Sequence, residues 1–229
     1  PGGQAAIALV YFAYCTTGSH ALVPYSAYGP NKEMAEGLMK GLGVEVEPYD
    51  PLIGAGISAL IRDNTTLIWT ESPGSVTMDV QDVPAIVEAA HARGVAVALD
   101  NTYAAGVLFD AFAHKVDVSI QALTKYVGGH SDILLGSVSV RDQAGFEAMG
   151  PVYRQLGLAV SPDDCSLALR GLQTLGLRLA HLEGATLEVA NWLVDQDVIA
   201  EVYHPALPGC PGHEIWKRDF TGSASVFSF

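Results

Sequence analysis

The sequence predicts an α/β fold with a mostly parallel sheet covered by helices. Short apolar runs bounded by turn residues alternate with helical patterns, as in the strand–helix–strand unit over residues 66–99. Such alternation favours parallel strands joined by crossover helices. Polar clusters end two of the apolar runs, Asp100-Asn101-Thr102 and Thr124-Lys125. Because the carboxyl ends of parallel strands share one edge of the sheet, we expect both clusters to face one pocket.

The individual elements follow from the apolar runs and their capping residues. Gly2 and Gly3 form a turn that opens an apolar helix, and Asn31 is predicted to cap a helix that Gly43 ends. The inward stripe of that second helix is predicted to be Met34, Leu38, Met39 and Leu42. The predicted strands are 21–23, 44–47, 66–70, 95–99, 116–120 and 133–140, and the other helices are 57–61, 84–93 and a long one from Ser161 toward 196.

The long helix is predicted to join two domains. Ser161 is followed by a proline and two carboxylates, which together favour a helix start. Glycines at 171, 176 and 184 are predicted kink or close-packing points. We place a domain that contains the predicted pocket at 1–171 and the beginning of a second domain at 172–229. Arg170 and Arg178 are predicted to make structural contacts on this helix.

Composition excludes several classes of function. The 12 Lys and Arg against 25 Asp and Glu give a net charge of −13, which argues against nucleic acid as a partner. Every apolar run is interrupted before about 18 residues, so no membrane span is expected. Three widely spaced cysteines, Cys15, Cys165 and Cys210, fit neither a disulfide framework nor a metal site, and suit the cytoplasm. Each is predicted to be a small buried apolar residue.

Lys125 and Asp100 are the residues that point to chemistry. A lysine after an apolar strand can simply reach solvent, but here a carboxylate is expected at the same edge of the sheet. A desolvated lysine amine can condense with a carbonyl group, and a buried carboxylate can hold a cationic ring nitrogen. Pyridoxal phosphate requires both groups. His130, close in sequence, is predicted to pack and hydrogen-bond beneath the lysine loop rather than to act as a base.

With these residues in place, the chain resembles the Cys/Met-metabolism family of pyridoxal-phosphate enzymes over essentially all 229 residues. The lysine segment is typical of the whole family, and several other segments are typical of its β-lyase branch. The segments that carry the resemblance are 50–55, 71–75, 82–87, 100–102, 104–109, 124–132, 204–209 and 212–223.

The resemblance implies a fold-type I, aspartate aminotransferase-like architecture and assigns roles to single residues. Lys125 would bind pyridoxal 5'-phosphate and then take the substrate α-proton, while Asp100 would keep the ring nitrogen protonated. Tyr28 would stack on the ring and is, with Lys125, a candidate proton donor to the leaving group. Ser75 lies where relatives that act at the γ-carbon commonly have Asn, and could reach the ring oxygen directly or through water.

The resemblance also implies a phosphate site. The backbone amides of Gly3 and Gln4 and the hydroxyl of Thr124 would bind the phosphate, although Gln4 replaces the family's usual hydrophobic residue. Ala122 lacks the second hydroxyl that many relatives have, and Tyr103 replaces their usual tryptophan. In the family, further phosphate contacts come from an amino-terminal segment of a neighbouring subunit, and an arginine of the carboxy-terminal domain grips the substrate carboxylate.

The implied activity is a carbon–sulfur lyase that cleaves L-cystathionine by α,β-elimination. Cystathionine γ-lyase, γ-synthase or cysteine desulfhydrase chemistry on the same scaffold stays open, as does a non-catalytic relative. The family's shared sites imply a homodimer or homotetramer. The chain resembles an internal fragment, and we expect it to lack turnover by itself because the two segments named above lie outside it.

Overall fold

A mixed sheet of six strands forms the centre of the computed structural model, which describes all residues from 1 to 229. Its spatial order is β2-β1-β3-β4-β5-β6. All neighbouring strands pair parallel except β5 and β6, so the predicted, mostly parallel sheet is confirmed. The strands are β1 His20–Pro24, β2 Glu45–Tyr49, β3 Thr65–Glu71, β4 Ala96–Asp100, β5 Val118–Ala122 and β6 Gly136–Val140.

Helices cover both faces of this sheet. Apolar side chains alternate along the central strands, so that Leu67 and Trp69 pack into an 18-residue core on one face. Ile68 packs into a 16-residue core on the other face. The helices are α1 Gly3–Tyr14, α2 Gly29–Glu33, α3 Val83–His91, α4 Gln143–Gln155, α5 Pro162–Leu172, α6 Leu175–Val194 and α7 His213–Asp219, with a 3₁₀ segment at Gly54–Leu60.

The helix predicted over 32–42 differs from the observed structure. Helix α2 begins at Gly29 and passes into a π-helical segment, Met34–Met39. The wider π turn changes which side chains face inward, so Ala35 and Met39 are buried whereas Leu38 and Leu42 are 49% and 46% exposed. Asn31 is not the cap, because it lies inside α2 and accepts a hydrogen bond from the Tyr11 hydroxyl at 2.9 Å.

The predicted long helix is two helices, α5 and α6, separated at Gln173 and Thr174. Ser161 caps α5 as predicted, since its hydroxyl accepts a hydrogen bond from the Asp164 amide. The break follows a close backbone contact: a Cβ atom on Gly171 would lie 2.0 Å from the Val127 carbonyl oxygen. Gly176 and Gly184 have no such neighbour, so only Gly171 is a close-packing point. The domain boundary near residue 172 stays a prediction.

Two smaller expectations also change. The strand predicted over 133–140 is limited to β6, and Gly136 at its start packs against the amino-terminal turn, where its amide donates to the Pro1 carbonyl at 2.7 Å. Cys15 and Cys210 are buried as predicted, but Cys165 is exposed on α5. No helix has the length and apolar character needed to cross a membrane.

Candidate active site

A cavity of about 1100 Å³ opens at the carboxyl edge of the sheet. Its walls are formed by the first turn of α1 and by the loops that follow β1, β3, β4 and β5, with side chains of α6 closing one side. All seven residues predicted for the site line this one cavity: Gly3, Gln4, Tyr28, Ser75, Asp100, Thr124 and Lys125. Their functional roles remain predictions, but their convergence is a feature of the fold.

The first turn of α1 presents unpaired backbone amides to the cavity. Gly2 is the N-cap in an extended conformation and has no side chain to cap the helix. The amides of Gly3 and Gln4 therefore have no hydrogen-bond acceptor in the protein, and such amides bind anions. A side chain at Gly3 would place its Cβ 2.9 Å from that of Ala122. The small residues on both sides let the helix end reach β5.

The lysine segment forms the opposite wall. Lys125 is exposed to the cavity, and its ammonium makes no ion pair or hydrogen bond with the protein. The hydroxyl of the neighbouring Thr124 donates to the Leu135 carbonyl at 3.2 Å and accepts from the Leu135 amide at 3.0 Å. A phosphate contact to Thr124 therefore requires the hydroxyl to give up its present hydrogen bond to the carbonyl.

A buried pair of carboxylates, Glu71 and Asp100, forms the floor of the cavity. The two residues end adjacent parallel strands in direct register and are 2% and 9% exposed. Burial raises the pKa of Asp100. Burial, and next the charge of Asp100, raise the pKa of Glu71 from its usual 4.5 to about 8. Sequence reasoning missed Glu71, although a carboxylate at the end of a buried strand was the signal used for Asp100.

Tyr28 and Ser75 both donate hydrogen bonds to Glu71. The Tyr28 amide donates to Glu71 Oε2 at 2.8 Å, and the Ser75 hydroxyl donates to Oε1 at 2.6 Å. The Tyr28 side chain itself is 44% exposed and lines the cavity. Tyr103, on the next loop, is partly buried, which raises the pKa of its hydroxyl.

Arg178, on α6, restrains the loop that follows β5 and carries Lys125. Its guanidinium donates to the carbonyl oxygens of Tyr126 and Val127 at 2.6 and 3.2 Å. Arg170 pairs with Asp132 at 2.7 Å, so the structural contacts predicted for both arginines are confirmed. His130 Nδ1 lies 2.7 Å from the Gly128 carbonyl oxygen, which confirms a hydrogen bond within the loop. Its side chain is exposed, however, so it does not pack beneath the loop.

These groups fit pyridoxal phosphate. The unpaired amides suit its phosphate, the unpaired Lys125 amine suits its aldehyde, and Asp100 offers a buried carboxylate without a cationic partner. Fold and site together define the class of α/β proteins that bind this cofactor at the carboxyl edge of the sheet.

A sequence profile of the Cys/Met metabolism PLP-dependent enzyme family matches residues 1–229, and the chain belongs to this family. A Rhizobium johnstonii protein is 48% identical over 229 residues. The cystathionine beta-lyase MetC of Escherichia coli is 45% identical over 231 residues. Each alignment covers the whole of this chain and 58% of the relative, so the chain spans less than two thirds of their length.

A solved structure gives the same fold. The cystathionine gamma-lyase of Lactobacillus plantarum, in complex with L-serine, superposes with a TM-score of 0.95 at 26% identity. The superposition covers 99% of this chain and 59% of that structure. The fold-type I architecture implied by the sequence is therefore confirmed.

Proposed function

We propose that the protein is a pyridoxal-phosphate-dependent carbon–sulfur lyase that cleaves L-cystathionine by α,β-elimination. The observation that carries this proposal is the single cavity that brings together Lys125, Asp100 and the free amides of Gly3 and Gln4. The bound cofactor supplies an electron sink for the negative charge that develops at the substrate α-carbon. The products would be homocysteine, pyruvate and ammonia, with one water consumed.

Lys125 and Asp100 carry the main roles in this scheme. Lys125 would hold the cofactor through Nζ, and its free amine would accept the substrate α-proton. Its exposure to the cavity and its lack of an ion pair leave Nζ available for both tasks. The Asp100 carboxylate would keep a proton on the ring nitrogen, and burial would strengthen this interaction because water does not screen it.

Tyr28 and the amino-terminal turn orient the bound groups. The exposed ring of Tyr28 is free to stack on a flat ligand, and its hydroxyl is one of two candidate proton donors to the leaving sulfur. The other candidate is the protonated Lys125. The free amides of the first turn of α1 would anchor an anionic phosphate beside the segment that carries Lys125.

A γ-elimination or γ-replacement on the same scaffold is the second candidate. The observation that favours it is the close superposition on a cystathionine gamma-lyase. Against it, residue 75 is a serine without a side-chain amide, and its hydroxyl is already hydrogen-bonded to Glu71. Product analysis separates the two reactions, since β-elimination gives pyruvate and homocysteine whereas γ-elimination gives 2-oxobutyrate and cysteine.

The test uses the full-length protein with pyridoxal phosphate and the Lys125→Ala variant. We expect an absorbance band of lysine-bound cofactor that the variant lacks, and pyruvate from L-cystathionine only with the unmutated protein. Loss of the lysine should lower kcat by at least about a thousandfold. The absence of the band in the unmutated protein would overturn the lyase proposal and favour a non-catalytic relative.

We further propose a cytoplasmic protein that self-associates as a homodimer or homotetramer. Support comes from the family's shared sites and from an acidic chain with three free cysteines. The small-molecule amino-acid substrate needs no nucleic-acid or membrane partner. Light scattering of the full-length protein would report its mass, and a monomer that turns over L-cystathionine would contradict the self-association.

A further inference from the structure

Glu71 connects two loops of the active site. Through its two carboxylate oxygens it holds the Tyr28 amide, on the loop after β1, and the Ser75 hydroxyl, on the loop after β3. Both loops line the cavity, and each contributes a side chain predicted to contact the cofactor. A carboxylate that accepts hydrogen bonds from two separate loops restrains the position of both.

Glu71 and its neighbour Asp100 have no cationic counter-ion. No ion pair in the structure includes either residue, although both are buried and in register on adjacent strands. Two like charges on neighbouring side chains in a buried site are not both retained. The other titratable groups around Glu71 are neutral phenols, and Lys125 lines the same cavity. The phenols are Tyr11 on α1, Tyr49 at the end of β2 and Tyr103 after β4.

We propose that Glu71 is a positioning residue of the cofactor site, which orders the Tyr28 and Ser75 loops and shares a single proton with Asp100. The pair then carries one negative charge, which Asp100 presents toward the cofactor ring nitrogen. Such an arrangement avoids a second uncompensated charge in the cavity floor and leaves Asp100 with a neutral neighbour. The inference rests on the proposed function, since it assigns Asp100 its role there.

The acid–base behaviour of Glu71 agrees with this geometry. Burial, followed by the Asp100 charge, raises its pKa to about 8, while the hydrogen bonds from Tyr28 and Ser75 act in the opposite direction. In the unfolded chain the same carboxyl would titrate near its usual 4.5. Between these two pH values the folded protein binds a proton that the unfolded chain releases, so its stability must fall as the pH rises through this window.

The first experiment measures the unfolding of the full-length apoprotein as a function of pH, which needs neither cofactor nor turnover. The variants are Glu71→Gln and, as a matched control, Glu88→Gln, which changes an exposed carboxylate on α3. We expect the unmutated protein and the control to lose stability relative to Glu71→Gln from about pH 5 to pH 8. If the difference in the free energy of unfolding between Glu71→Gln and the unmutated protein stays constant over this range, the proposal of a shared proton is wrong.

The second experiment tests positioning in the holoenzyme with Glu71→Gln and Glu71→Ala. The glutamine can still accept the Tyr28 amide, so we expect kcat/KM within about tenfold of the unmutated value, whereas alanine should lower it about 100-fold. Alanine should also weaken cofactor binding, measured by the absorbance band, whereas Lys125→Ala removes the band completely. Equal behaviour of the alanine variant and the unmutated enzyme would overturn the positioning role, even if the lyase assignment holds.

If Glu71→Ala fails to fold, the glutamine variant decides the positioning role. A loss of about 100-fold in kcat/KM for Glu71→Gln would overturn it. The pH titration of the apoprotein does not depend on this outcome.

Discussion

Carboxylates at the two edges of the sheet differ in whether they are paired with a cation, although Asp117 at the amino edge is only partly buried. At the carboxyl edge, Glu71 and Asp100 lie side by side without a cation. At the amino edge, Asp117 is contacted by His91 and Arg141, each at 2.8 Å, and accepts a third hydrogen bond from the Val97 amide. The comparison indicates that the amino edge is built for stability, whereas the carboxyl edge keeps charge available for a ligand.

Charged groups on the other side of the sheet, around β1 and β2, are also paired. On β2, Glu47 pairs with Arg62 and lies 3.4 Å from the buried His20. On the opposite edge, the free Lys125 ammonium and the free amides of the α1 turn face the cavity. Unpaired groups of both signs collected in one cavity cost folding free energy, which bound cofactor can recover.

The largest effect is expected from removing the charge of Asp100. Asp100→Asn should lower kcat/KM for L-cystathionine by about 10² to 10⁴, because the ring nitrogen loses its preorganised counter-charge. The apoprotein should be at least as stable as the unmutated one, since an uncompensated buried carboxylate is removed. Steady-state kinetics and thermal unfolding of the full-length protein measure both effects. If Asp100→Asn is destabilised but fully active, the different roles assigned to the two edges of the sheet are wrong.

The matched change at the amino edge should have the opposite result. Asp117→Asn weakens the contacts to His91 and Arg141, so the free energy of unfolding should fall by about 1–3 kcal/mol while kcat/KM of the folded enzyme stays unchanged. Denaturant unfolding together with kinetics measures this change. Asp63→Asn, on a fully exposed side chain, is the control and should leave both unchanged. A catalytic defect in Asp117→Asn as large as that of Asp100→Asn would contradict the division of roles.

Titration should also distinguish the edges. Burial lowers the pKa of His20 below its usual 6.5. Near pH 6.5 the unfolded chain therefore binds a proton at His20 more readily than the folded protein does. The contribution of His20 to stability is lost as the pH falls below about 6.5. Compared with His20→Gln, the unmutated protein should lose stability between pH 7.5 and 5.5, the reverse of the direction expected for Glu71. Parallel unfolding curves over this range would show that His20 does not titrate as its burial requires.

The smallest effect is expected at the exposed part of the amino edge. Arg62→Gln removes contacts to Glu45 and Glu47, but the arginine is 50% exposed. The expected loss in the free energy of unfolding is below about 1 kcal/mol and should shrink further in high salt. Denaturant unfolding at low and high salt measures it, and a larger loss that is independent of salt would point to packing of the arginine stem.

The alternation of short apolar runs with helical patterns was enough to predict the parallel sheet and the edge at which Asp100 and Lys125 meet. The prediction succeeded because the spacing of apolar residues can be read along the chain. Once the strands are parallel, their carboxyl ends must lie at one edge of the sheet. Lys125 and Asp100 already pointed to the cofactor, whereas the roles of Tyr28 and Ser75 came from resemblance to a family and not from the pattern itself.

Tertiary structure decided what local patterns could not. The π turn after Glu33 and the exposure of Cys165 have no local signal in the sequence, and the break after Leu172 follows the close approach of Gly171 to the Val127 carbonyl. Glu71 became a site residue only when register placed it beside Asp100 and its two oxygens reached the Tyr28 and Ser75 loops. The sequence by itself determined the order of the elements and the chemistry at their ends. Contacts between distant segments decided which of those groups found an oppositely charged partner, and the charged groups left without one line the site.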